Sequence, residues 1–298
     1  LLRGIAERRF ERIAMSIGDG LVCADQNGLI TVWNPGAAAI FGYTSKEMIG
    51  RPFGTICALN DTAGLAFSIG ELPVEELQVP GGKVMELEGR RKNGETFALE
   101  VCFSEWQSVD GFQYGAVMRD ISARKREAER IRYLAEHDTL TDLANRHALY
   151  EHLAAKLVEA KAAQSKVALL ILDLDKFKQI NDTLGHACGD QLLCGVAGRM
   201  RDLADGTSLV ARLSGDEFAV VLSGADVADR AQQLSEQTCR SFKEVTFAVD
   251  GRQIAVNASI GVAVYPECGA TADELLGNAD LALYRAKTGG RGRYVVFE

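Results

Sequence analysis

The chain has 298 residues, of which 47% are hydrophobic and 25% are charged, as in an ordinary globular protein. This length suits two domains, each large enough to bury its own core. The formal net charge of −8 excludes a bulk electrostatic attraction to nucleic acid, so we expect no nucleic-acid partner. Any bound phosphate group would need a few local lysines or arginines, or a metal ion.

The seven cysteines include no CxxC pair. This pattern argues against a disulfide framework or a zinc site and favours a reducing compartment. No segment has the apolar length that spans a bilayer, so we expect no membrane segment in this sequence and a cytoplasmic location.

The first 120 residues alternate between short strands and turns. Residues 3–17 have the spacing of an amphipathic helix. Two segments then flank the turn signal Asp25-Gln26-Asn27-Gly28, which predicts a hairpin. Later strands are predicted at 84–91, 96–106 and 112–120. This order favours an antiparallel sheet with short helices on one face.

Residues 121–137 are highly charged and contain neither Gly nor Pro, which predicts a continuous linker helix. Ala128, Ile131 and Ala135 keep a three-four spacing that would let this helix pair with its twin in a homodimer. A solvated helix without such a partner is the alternative.

From residue 138 onward, strands alternate with helices. The apolar run 167–172 predicts a buried strand, and two strands are predicted to flank residues 214–216. Helices are predicted at about 145–162, 188–204, 226–241 and 272–287, and further strands at 244–249, 253–264 and 294–297. We expect a central sheet flanked by helices.

Two pairs of acids interrupt this apolar pattern. Asp173 and Asp175 end the buried strand, and Asp216 and Glu217 lie at the tip of the predicted hairpin. A carboxylate at the end of an apolar strand is costly unless it is paired or binds a cation. Carboxylate oxygens suit Mg²⁺, which commonly holds substrate phosphates too. Either pair alone would be better explained as solvated surface.

The residues around these acids resemble the GGDEF domain of diguanylate cyclases. The resemblance is carried by residues 173–190 and by the hairpin Ser214-Gly215-Asp216-Glu217-Phe218. Residues 138–146 resemble the family's opening DxLTxLxNR stretch, and residues 279–291 resemble its closing ADxALYxAKxxGR stretch.

The resemblance implies a palm-like domain that condenses two GTP molecules into cyclic di-GMP and releases two pyrophosphates. It also implies an active homodimer, because the 3′-hydroxyl of each GTP attacks the α-phosphate of the other.

Carried over residue by residue, the resemblance also implies the roles of the site residues. Those implied to hold the metal, Mg²⁺ or Mn²⁺, are Asp173, the Leu174 carbonyl, Asp216 and Glu217. Those implied to act in catalysis are Glu217, Asp216 and, as a helper, Lys178. Those implied to read guanine are Asn181 and Asp190. Those implied to hold the phosphates are Lys287, Arg291 and the backbone near Lys176 and Phe177. The ribose would pass Ser214 and Gly215.

Ser214 departs from the family, which has a glycine at this first hairpin position. A Cβ and a hydroxyl would crowd the ribose, yet Ser is small and we expect activity to survive. Two alternatives remain open. One is a catalytically weak GTP-binding domain, which would regulate a phosphodiesterase domain outside this sequence. The other is a sensor-dimer scaffold.

Residues 8–122 resemble a PAS sensor domain, with stretches such as 28–35 and 119–122. The resemblance implies that this half regulates the cyclase and contributes to dimerisation. Its ligand is unknown, although the absence of His before residue 137 excludes a His-ligated haem. The expected division is an N-terminal helix at 1–18, a PAS domain at 19–120, a linker at 121–137 and a GGDEF domain at 138–298.

Overall fold

The computed structural model describes residues 18–58, 83–108, 111–204, 206–224, 226–249 and 251–298. The amphipathic helix expected at 3–17 lies outside them. The chain divides into two compact units, Leu1–Glu129 and Arg130–Glu298. No helix of the described residues is long and apolar enough to cross a membrane.

The first unit contains a six-stranded antiparallel sheet with the order β2-β1-β6-β5-β4-β3. The strands are β1 Gly20–Ala24, β2 Ile30–Trp33, β3 Cys57–Ala58, β4 Lys83–Arg90, β5 Thr96–Ser108 and β6 Gly111–Asp120. Two short helices, α1 Pro35–Phe41 and α2 Ser45–Met48, and a 3₁₀ turn at Phe53–Thr55 follow β2. The antiparallel sheet with short helices is therefore confirmed.

Local capping starts the first helix. The Asn34 side chain accepts a hydrogen bond from the Ala37 N–H at 2.7 Å, and Pro35 occupies the first helical turn, where its missing N–H costs nothing. Trp33 is only 3% exposed and packs against Phe41 in the core. It therefore belongs to the packed interior of this unit.

Helix α3 spans Ser122–Glu136 and coincides with the predicted linker helix. The Asp120 side chain accepts a hydrogen bond from the Ser122 N–H at 2.8 Å at its start. No residue of this helix is buried, and Ile131, Tyr133 and Leu134 are exposed. Pairing of this helix in a dimer stays a prediction.

The second unit is built on a five-stranded sheet with the order β13-β12-β7-β9-β8. Its strands are β7 Lys166–Leu174, β8 Leu209–Ser214, β9 Glu217–Gly224, β12 Ala258–Tyr265 and β13 Tyr294–Val296, beside a separate ribbon of β10 Phe247–Val249 and β11 Arg252–Ile254. The helices are α4 Arg146–Ala163, α5 Phe177–Leu184, α6 His186–Leu203, α7 Val227–Glu244 and α8 Ala272–Thr288.

Strand β7 is the centre of this sheet, paired antiparallel with β12 on one side and β9 on the other. Ala168, Leu170 and Leu172 face the core that includes residues of α6 and α7. The alternate residues Leu169 and Ile171 face the core that includes residues of α4 and α8. Burial on both faces explains why residues 167–172 of this strand are all apolar instead of alternating with polar residues.

Two elements differ from the expectation. Helix α5 was not predicted, because it has only eight residues and many of them are polar. It ends at Gly185, whose φ of +86° turns the chain into α6. The strand expected over 253–264 is instead two strands, β11 and β12, which belong to different sheets.

Candidate active site

The hairpin between β8 and β9 turns through two residues, Gly215 and Asp216. Gly215 has a φ of +47°, a region that glycine enters without steric cost. Arg212 holds the turn, since its Nη2 and Nε donate to the Gly215 carbonyl at 2.7 and 3.0 Å. The same guanidinium donates through Nη1 to Asp138 Oδ1 at 3.0 Å, so it ties the hairpin to the start of the unit.

Asp138 is the first residue of the stretch that resembles DxLTxLxNR. Burial opposes its ionisation, but hydrogen bonds from Thr141 and Arg212 hold the pKa of this carboxyl below its usual value. Sequence reasoning assigned no role to Asp138 or Arg212. The signal available was the pairing of an acid in the opening stretch with an arginine two residues before the hairpin motif.

The two predicted acidic clusters meet at one end of the sheet. Asp173 of β7 lies directly opposite Glu217 of β9, and the Leu174 N–H donates to the Asp216 carbonyl at 3.3 Å. Burial raises the pKa of both Asp173 and Asp216. The charges of Asp216 and Glu217 raise the pKa of Asp173 further, so the site concentrates negative charge.

The ammonium of Lys287, in the last turn of α8, neutralises part of this negative charge. Its Nζ lies 2.6 Å from Asp173 Oδ2, and the Asp173 side chain is 13% exposed. The ammonium opposes the rise in the pKa of Asp173 without cancelling it. A residue predicted to hold phosphate thus contacts a residue predicted to hold the metal.

The donor set fits Mg²⁺. The carboxylates of Asp173 and Asp216 and the Leu174 carbonyl are hard oxygen ligands. Within the described parts of the chain, no group of three or more His, Cys, Asp or Glu side chains is arranged to hold a metal ion. Magnesium is usually bound by one or two carboxylates plus water and substrate phosphates, so a complete protein cage is not required.

Asp175, the second acid after the buried strand, has a structural role. It is 9% exposed, and its Oδ1 accepts from the Ser259 hydroxyl at 2.7 Å. Its Oδ2 accepts from the Gly292 N–H at 2.8 Å. Asp175 therefore fixes the loop that carries Arg291.

The predicted guanine readers lie on neighbouring helices, Asn181 on α5 and Asp190 on α6. The Asn181 Oδ1 is buried and accepts no hydrogen bond from the described residues. A Cβ on Gly189 would lie 1.8 Å from this oxygen, so only glycine lets Asn181 occupy its place. Gly189 lies within the motif at residues 173–190, but the sequence alone did not reveal this contact.

Glu217 contacts Ser214 and also lines a small cavity. The Ser214 hydroxyl donates to Glu217 Oε2 at 3.1 Å. A cavity of about 210 Å³ lies beyond it, with Arg146, Tyr150 and Asp280 in its wall. Desolvation and the charge of Glu217 raise the pKa of Asp280, while Arg146 and Lys287 lower it.

Two of the other residues predicted to hold phosphate line a second cavity. Lys176, which caps α5 with a φ of +61°, and Arg291, with a φ of +62°, line a cavity of about 750 Å³. The Phe177 side chain is 7% exposed and packs in the core, so its backbone is the part available to a ligand. Lys178 is exposed.

Comparison with known proteins matches two family models to this chain, Diguanylate cyclase, GGDEF domain, over residues 135–293, and PAS domain, over residues 18–123. An uncharacterized signaling protein of Caulobacter vibrioides is 37% identical over 295 residues, 98% of this chain and 35% of the relative. The probable diguanylate cyclase DgcE of Escherichia coli is 31% identical over 287 residues, 95% of this chain and 26% of the relative. The chain thus spans about a third or less of these relatives' lengths.

Among solved structures, the coiled coil and GGDEF domain of DgcB from Caulobacter crescentus, in complex with c-di-GMP, is similar with a TM-score of 0.54. The two proteins are 30% identical, and the match covers 59% of this chain and 93% of that one.

Proposed function

Because the chain belongs to the GGDEF family and carries a PAS domain ahead of its GGDEF domain, we propose that it condenses two GTP molecules into cyclic di-GMP. The observation that carries the proposal is the acidic cluster, in which Asp173 faces Glu217 across paired strands and bears the Lys287 ammonium. Such a cluster suits a divalent cation and a polyphosphate together.

The proposed metal site consists of Asp173, the Leu174 carbonyl, Asp216 and Glu217. When bound, Mg²⁺ supplies positive charge at the reacting phosphate. In the proposed reaction, the 3′-oxygen of one GTP bonds to the α-phosphorus of the other. The bond between this α-phosphorus and the oxygen that bridges it to the β-phosphate breaks, and pyrophosphate leaves. The proton of the 3′-hydroxyl passes to Glu217.

The other residues bind and orient GTP in this proposal. Asp190 accepts from guanine N1–H and N2–H₂, and Asn181 pairs with the remaining edge. Lys287 and Arg291 hold the β- and γ-phosphates, and the backbone at Lys176 adds N–H donors. Lys178 is a helper, supported by its exposure one residue beyond the buried Phe177.

Two copies of the chain are needed, since each would hold one GTP. Members of the GGDEF family bind GTP and often act as dimers. We place the homodimer contact in the PAS domain and in α3, whose exposed Ile131 and Leu134 support this choice. A PAS signal would then act by reorienting the two GGDEF domains.

Incubating the full chain with GTP and Mg²⁺ tests the proposal. We expect cyclic di-GMP and pyrophosphate in a ratio of about one to two, as the stoichiometry requires. GTP binding without product would instead support a regulatory GTP-binding domain. Neither binding nor product would support a scaffold and would refute the proposed activity.

Gly189→Ala tests the guanine site. The new Cβ would displace Asn181, so we expect binding of 3′-deoxy-GTP, which lacks the attacking hydroxyl, to weaken about tenfold. Calorimetry measures the affinity. Gly198→Ala on the same helix is the matched control, because nothing lies within 4 Å of its added Cβ. Equal affinities of the two variants for 3′-deoxy-GTP would show that Asn181 does not contribute to guanine binding.

Ser214→Gly is expected to raise or preserve turnover, because it removes both the Cβ near the ribose and the hydroxyl that binds Glu217. Ser214→Ala separates these effects, since it keeps the Cβ and removes only the hydroxyl. Turnover that rises in both variants would identify the hydrogen bond as the restraint. A large loss in Ser214→Gly would show that the serine supports catalysis.

A further inference from the structure

The cavity of about 750 Å³ lies between α5, the end of α7, the segment before β12 and the loop after α8. The hairpin acids do not line it. Its polar wall contains Lys176, Gln179, Thr183, Lys243, Asn257 and Arg291. The volume is that of a small-molecule site, and the wall combines hydrogen-bond donors with cationic groups.

The cavity carries net positive charge. Lys176, Lys243 and Arg291 form no ion pair with any residue that the structure describes. The one carboxylate in the wall, Asp175, has one oxygen bound by the Ser259 hydroxyl and the other by the Gly292 N–H. Three unpaired cations beside a satisfied carboxylate favour an anionic ligand.

Lys243 is the cation that no motif indicated. It lies in the last turn of α7, and its Cε is 3.3 Å from the position that a Cβ on Gly292 would take. Its side chain therefore runs along the loop that carries Arg291. Because Asp175 fixes that loop, Lys243 and Arg291 are presented to the cavity from adjoining walls.

We propose that Lys243 and this cavity bind a diphosphate group, either the β- and γ-phosphates of GTP or the pyrophosphate that leaves. This inference rests on the proposed function, in which Arg291 holds the terminal phosphates. Phosphates at Arg291 border the cavity, where Lys243 adds a charge-assisted contact. The guanine readers Asn181 and Asp190 are not part of this cavity.

Lys243→Ala in the full chain tests the inference by calorimetry with pyrophosphate, 3′-deoxy-GTP and GMP, each in the presence of Mg²⁺. We expect pyrophosphate to bind about tenfold more weakly, with GMP unaffected. Weaker 3′-deoxy-GTP binding assigns the contact to GTP as well, and unchanged binding assigns it to the product alone. Lys161→Ala, which removes the lysine in the last turn of α4, is the matched control.

Equal pyrophosphate affinities in Lys243→Ala and Lys161→Ala would overturn the inference while leaving the proposed function intact. Lys243→Arg keeps the charge and is expected to bind pyrophosphate like the unaltered protein. Failure of the unaltered chain to form cyclic di-GMP would instead refute the proposed function, and the pyrophosphate comparison would still report on the cavity.

Discussion

Replacing Glu217 by Gln is expected to lower the rate of cyclic di-GMP formation by about 10²–10⁴-fold, the range of general acid–base catalysis. The amide keeps the size of the side chain but cannot take up the 3′-hydroxyl proton. Glu217 begins β9 opposite Asp173, so the strand fixes its position at the acidic cluster. The effect should therefore fall on turnover, with little change in guanine recognition.

Two measurements separate these effects, turnover from the release of pyrophosphate and binding of 3′-deoxy-GTP by calorimetry. Glu244→Gln, an exposed change at the end of α7, is the control and should leave both unaltered. Turnover of Glu217→Gln close to that of the unaltered chain would contradict the proton-acceptor role. Loss of GTP binding in proportion to turnover would make Glu217 a binding residue instead.

The sheet of the second unit could be predicted because β7 contains an uninterrupted apolar run at residues 167–172. A continuous apolar run requires burial on both faces, and the structure places β7 between two strands and two helical layers. Helix α5 could not be predicted in this way. Its amphipathic pattern spans only eight residues, and it begins after Lys176, whose positive φ has no distinct sequence signature in a residue other than glycine.

Part of the candidate site could likewise be predicted from the sequence pattern, and part of it depends on how the chain packs. The acids at the end of β7 and at the hairpin were visible as carboxylates against an apolar background. Sequence reasoning could not decide that Asp173 faces Glu217 while Asp175 binds Ser259 and the loop after α8. The two acids are two residues apart, and their different roles depend on partners at least 40 positions away in the chain.

The other features of the candidate site depend on contacts that form only when the chain folds. The approach of Gly189 to Asn181 needs two helices to meet at a turn. The hydrogen bond from Ser214 to Glu217 follows from the two-residue turn between β8 and β9. These contacts show which neighbours hold Asn181 and Glu217, and they suggest the test variants Gly189→Ala and Ser214→Gly.

Lys287→Ala is expected to strengthen binding of Mn²⁺ in the absence of nucleotide by about tenfold, while binding of 3′-deoxy-GTP weakens by a similar factor. The Lys287 ammonium lies 2.6 Å from Oδ2 of Asp173, a carboxylate proposed to hold the metal ion. Removing the ammonium takes away the cation that contacts Asp173, so a divalent cation no longer competes with it for this carboxylate. Phosphate also loses one of its proposed cationic partners, so nucleotide binding weakens.

Electron paramagnetic resonance of free Mn²⁺ measures the metal affinity without any turnover. Lys156→Ala is the matched control, because Lys156 forms an ion pair with Glu159 at 2.7 Å on α4 and is absent from the proposed site. Asp173→Asn should weaken Mn²⁺ binding whether or not Lys287 is present, since it removes a metal ligand. If Lys287→Ala bound Mn²⁺ no more tightly than Lys156→Ala, the ammonium would not be competing with the metal at Asp173. Opposed effects on metal binding and nucleotide binding would mean that Lys287 competes with the metal ion at Asp173 in the free protein and contacts phosphate when GTP is bound.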